Sequence, residues 1–80
     1  MTRRQLNAIK QISKEIIKKW DGPDYPILIE IKQTEENYSL VYEACLEVEN
    51  CLDLELDCVA PTFNWSRGYL IWFNYIKKEI

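Results

Sequence analysis

The residues best equipped for chemistry in this chain are carboxylates, and they recur at regular spacing. Asp53, Glu55 and Asp57 alternate with apolar neighbours, and Glu43, Glu47 and Glu49 precede them in a similar pattern. Paired carboxylates can hydrolyse a glycosidic bond when they stand roughly 5–9 Å apart, or they can ligate a hard cation. Calcium, however, needs about six to eight oxygens converging on one point, usually from a curled loop with a glycine. Alternate positions on an extended strand instead project in a row at intervals of about 6.6–6.8 Å. A row on a flat surface has no water-excluded cleft to drive two pKa values apart, which acid–base catalysis requires. What it can do is present fixed negative charge to a basic surface.

The remaining composition narrows the chemistry further. The chain has no histidine, which removes the commonest general base and every Ser–His or Cys–His pair. Cys45, Cys51 and Cys58 are odd in number and form no C-x-x-C motif, which argues against a disulfide framework or a zinc knuckle. They are expected to be small hydrophobes in strands, in a reducing cytoplasm. No catalysis, cofactor or metal is expected. Eighty residues allow a single domain, 1–80, with a modest core. The longest apolar run, Tyr69 to Phe73, is far short of the roughly 20 residues of a membrane span, and no apolar segment follows the basic start as in a secretory signal.

The net charge of −3 hides a segregated layout. Residues 1–20 carry six bases against Glu15 alone. Residues 21–61 carry eleven acids against Lys32 alone. Residues 62–80 return to Arg67, Lys77 and Lys78 against Glu79. A basic end is joined to a strongly acidic middle.

These charges must be positioned by a few short elements. Thr2 and Gln5 have the spacing of a capping box, and Leu6, Ile9, Ile12, Ile16, Ile17 and Trp20 recur at helical spacing until Gly22-Pro23. A strand is expected from Ile27 to Lys32, with Leu28, Glu30 and Lys32 outward. A second is expected over 40–49, with Leu40, Tyr42, Ala44, Leu46 and Val48 inward, and a third over 52–58, with Leu52, Leu54, Leu56 and Cys58 inward. Tyr69 to Ile76, rich in aromatic and β-branched residues, predicts a fourth strand with Leu70, Trp72 and Ile76 outward; a helix over 69–80 is the competing assignment. The predicted fold is α+β: an N-terminal amphipathic helix packed on one face of a four-stranded antiparallel β-meander, α-β-β-β-β. Parity through the predicted loops then sets Glu47 opposite Asp53 and Glu43 opposite Asp57.

Like charges directly opposed on a sheet weaken it, on the scale of roughly 0.2–1 kcal/mol per pair. Folding gains nothing from such pairs, so the expected use of the face is external. Glu30, Glu43, Glu47, Glu49, Asp53, Glu55 and Asp57 would dock a basic protein, with Trp65 or Trp72 as apolar anchor. Rows of carboxylates can stand in for phosphates, so the expected partner handles nucleic acid, for example a nuclease. The same charge would repel nucleic acid itself. In size, acidity and lack of a catalytic motif the chain resembles the small inhibitors that phages and mobile elements use against host nucleases, and acidic toxin-immunity proteins. That resemblance implies a non-catalytic protein that binds another protein. Two alternatives use the aromatic residues instead: self-association through the last strand, giving a homodimer, or a small-ligand (nucleotide) pocket in the aromatic cluster.

Overall fold

The computed structural model describes residues 1–63 and 67–76 of the 80. The chain begins with helix α1, Arg3–Lys19. Its start is the expected capping box: the Gln5 N–H donates to Thr2 Oγ1 (3.2 Å), and the Thr2 N–H donates to Gln5 Oε1 (2.8 Å). Ile9, Ile12, Ser13 and Ile16 form the buried stripe, while Leu6 and Ile17 lie on its exposed flanks. Trp20 leaves the helix in an extended conformation. Its ring sits edge-on to Phe73 and Tyr75, at 6.0 and 6.1 Å between centroids, and so pins the end of α1 to the sheet.

Strand β1, Ile27–Glu30, follows, and then the chain departs from expectation. Residues Glu35–Leu52 form a second helix, α2, where a loop and a strand were predicted. Thr34 caps it, accepting from the Asn37 N–H at 3.0 Å, and Glu35 and Glu36 lie in the first turn, where the helix dipole favours negative charge. Leu40, Val41, Ala44, Cys45 and Val48 are buried, a stripe at spacings of three and four. Asp53 closes α2 in the left-handed region (φ 52°). Strands β2, Leu54–Pro61, and β3, Gly68–Tyr75, complete the fold.

The α-β-β-β-β meander is therefore corrected to α-β-α-β-β, with a three-stranded antiparallel sheet in the order β1-β3-β2. β1 and β2 both run antiparallel to β3. The unit β1-α2-β2 is a split β-α-β crossover, with β3 returning between its strands. The fourth predicted strand is real, but it is the central strand.

Both helices cover one face of this sheet. Side chains of α1 and α2 share a core with Ile27, Ile29, Leu54, Tyr69, Ile71 and Phe73. The helices lie side by side and parallel, with Gln5 near Leu40 and Ser13 near Ala44 and Glu47. Ser13 is buried in the seam; its hydroxyl lies 2.8 Å from the Ile9 carbonyl oxygen and 3.0 Å from Glu47 Oε2.

Each sheet edge is blunted by a helix side chain. Lys19 Nζ donates to the Leu28 carbonyl oxygen on β1 (2.8 Å), and the Leu56 N–H on β2 donates to Glu49 Oε2 (2.6 Å). β2 also carries a bulge between Leu56 and Cys58 and ends at Pro61. These devices hinder a further strand from pairing. Among the described residues, no helix is long and apolar enough to cross a membrane.

Candidate functional site

The carboxylates expected to form one surface are distributed over several. Glu43, Glu47 and Glu49 lie on α2, on the helix side of the sheet. Glu47 accepts from Ser13 and Glu49 from the Leu56 N–H, so both are used within the fold. Asp53 is the α2 cap, and Asp57 is the extra residue of the bulge, with no partner on β3. The expected pairs Glu47/Asp53 and Glu43/Asp57 do not form, because the partner strand is a helix. Glu30 and Glu55 remain on the sheet, opposite Gly68 and Asn74 respectively. Trp65 lies outside the described residues.

What the sheet presents to the outside follows from register. Opposed residues share a face. Ile27, Ile29, Leu56 and Val59 pair with Ile71, Tyr69, Phe73 and Ile71, all turned to the helices. The other set is Leu28 and Ala60 flanking Leu70, and Cys58 beside Trp72. Among the described residues, no helix lies over these five. Leu28, Ala60, Leu70 and Trp72 are half-buried and Cys58 is exposed. The bulge matters here: without it Cys58 would turn inward, as its predicted strand had it. With it, parity reverses and Val59 takes the inward place.

This outer face has an apolar centre and two acidic corners. Glu30 sits at the β1 side near the start of β3, and Glu55 at the β2 side near its end. Six residue steps along β3, from Gly68 to Asn74, separate those corners, about 20 Å at ~3.4 Å per step. None of the strand residues on this face is a base. Trp72 stands near the middle of the patch.

The cysteines divide by environment rather than forming a site. All three are free. Cys45 is buried within α2, and its thiol is pushed up to about 12, chiefly by burial and then by the charge of Glu49. At pH 8 a thiol with that value is thiolate only at about one part in 10⁴. Thiol labelling of the native protein at pH 8 should therefore count two reactive groups, Cys51 and Cys58, with the third appearing on denaturation. Three fast thiols in the native state would overturn the placement of Cys45. Among the described residues, no three Cys, Asp or Glu side chains are grouped to hold a metal ion.

Comparison with protein-family models, with curated proteins and with solved structures found no match for this chain.

Proposed function

We propose that this chain is a non-catalytic protein-binding module, an inhibitor or immunity-type protein that docks on a basic, nucleic-acid-handling partner through the helix-free face of its sheet. The observation that carries the proposal is that face: Trp72 at its centre, Leu28, Leu70 and Ala60 around it, and only acids, Glu30 and Glu55, on its strands. A half-exposed tryptophan within a small apolar patch bordered by charge has the composition of a binding hot spot. The acidic corners favour a basic partner and speed its encounter. Asp57, exposed at the bulge on the neighbouring edge, extends the same sign. The blunted edges favour face docking over addition of a strand.

Two further features support the non-catalytic part. The chain lacks histidine, and burial shifts the Cys45 thiol away from reactivity. Three free cysteines, two of them exposed, suit a reducing cytoplasm.

The test is capture from host lysate at low salt with wild type, with Trp72→Ala and with Glu30→Lys/Glu55→Lys. Wild type should retain a basic nucleic-acid-handling protein and release it as salt rises. Trp72→Ala should weaken that binding about 30-fold, the scale of a hot-spot residue. The double charge reversal should slow association and flatten the salt dependence. Equal capture by all three proteins would overturn the proposal. A doubled mass by light scattering that reverts in Trp72→Ala would assign the face to a second copy of this chain instead.

A further inference from the structure

A concavity lies on the helix side of the sheet, between the first turns of α2 and the turn end of the β2–β3 hairpin. It is a groove of about 630 Å³ lined by Gln33, Thr34, Glu35, Tyr38, Ser39 with Pro61 and Tyr69. We infer that this groove binds an arginine side chain of an extended peptide segment. The inference is independent of the sheet-face proposal.

The groove has an aromatic corner. Tyr69 is buried and its hydroxyl donates to the Thr34 carbonyl oxygen (3.4 Å), so its ring is a fixed wall. Tyr38 stands 5.7 Å from it at 60° and is stacked with Tyr42 at 6.5 Å and 21°. Tyr38 and Tyr42 are each 42% exposed. The opposite wall is also held. Gln33 Nε2 lies 2.9 Å from the Gly68 carbonyl oxygen and 3.2 Å from that of Thr62, tying the segment before α2 to the turn end of the hairpin. The groove is thus preformed, which lowers the ordering cost of binding.

Charge decides what enters it. Among the described residues the one charged lining residue is Glu35, followed by Glu36, and α2 has no base along its length. These carboxylates outweigh the positive end of the helix dipole, so phosphates and other anions are disfavoured. A cation is favoured over the negative face of an aromatic ring. Arginine fits better than lysine: its planar guanidinium can lie on Tyr38 while its N–H edge reaches the Glu35 carboxylate. A lysine ammonium is a compact, strongly hydrated charge that cannot do both.

The probe is a capped Gly-Gly-Arg-Gly-Gly peptide titrated to about 10 mM, a weak-binding range, into isotopically labelled protein, with amide shifts read by NMR. Saturable shifts are expected at Tyr38, Ser39 and Tyr69. The citrulline peptide, isosteric but neutral, should bind about tenfold more weakly, and the lysine peptide should fall between. Tyr38→Leu and Glu35→Gln should each weaken the arginine peptide about three- to tenfold, whereas Tyr38→Phe, which keeps the ring, should retain it. Trp72→Ala should leave it unchanged, so loss of the sheet-face function and loss of this site are separable. Equal binding of citrulline and arginine, absence of saturable shifts, shifts confined to the outer sheet face, or preferential binding of AMP would each overturn the inference.

Discussion

Gly68→Ala should destabilise the protein by about 3 kcal/mol or more, a large share of the roughly 4–12 kcal/mol that about 0.05–0.15 kcal/mol per residue gives for this length. Gly68 opens β3 with φ +144°, a conformation that side-chain-bearing residues rarely adopt. A Cβ there would overlap the Ile29 carbonyl oxygen and crowd the backbone of Glu30. Those atoms belong to β1, an edge strand that has β3 as its single partner. Relief of the overlap therefore means moving β1 away, and β1 carries Ile27 and Ile29 into the core. Gly22 supplies the control. It also has positive φ, at +100°, but a Cβ added to it would meet nothing within 4 Å. Gly22→Ala should cost only the backbone strain, about 1 kcal/mol. Urea unfolding of both variants checks this. Equal midpoints would show that close approach of β1 to Gly68 does not matter to the fold.

The elements that could be recognised in the sequence are those where one signal acts alone. α1 has a capping box, a stripe with no competing period and a Gly-Pro stop. β1 is rich in isoleucine and β3 in aromatic residues, and each is preceded by turn-forming residues, Asp24 to Pro26 and Ser66 to Gly68. α2 is different because two periodicities coincide. Residues four apart share a face on a strand as well as on a helix, so Leu40, Ala44 and Val48 fit both. The discriminating positions are 41 and 45, buried only in a helix, and 42 and 46, inward only in a strand. They hold Val41, Cys45, Tyr42 and Leu46, all apolar, so hydrophobicity cannot choose. Val41 and Cys45 are the buried pair, while Tyr42 is exposed. The signal that did discriminate was local: Thr34 followed by Glu35-Glu36 and Asn37 is a helix start, although the same four polar residues also make a plausible turn.

The same error displaced the carboxylates. Once α2 replaced a strand, the cross-strand pairs had no geometry left to support them. The bulge at Asp57 did the rest, since a single inserted residue reverses which side Cys58 and Val59 face and leaves no mark in composition. Trp72, by contrast, kept its outward place because its alternation with Ile71 and Phe73 runs through an uninterrupted strand.

That alternation leads to a sharp contrast between neighbours. Phe73 is 1% exposed and packs on Leu56 and Trp20 in the core; Phe73→Ala should cost about 3–5 kcal/mol, the scale of an aromatic cavity. Trp72, the larger side chain one residue earlier, should cost less, about 1–2 kcal/mol as Trp72→Ala, because it is only half-buried and faces away from both helices. Chemical denaturation of the two variants reads the difference directly. If Trp72→Ala proved as damaging as Phe73→Ala, the outer face would have to be covered within the molecule, and no surface would remain there for a partner. If instead Trp72→Ala folds with only that smaller loss and weakens partner binding about 30-fold, the tryptophan is held on the surface for contact with something other than its own chain. A half-exposed indole on the open face of a sheet is an aggregation hazard that folding alone gives no reason to keep.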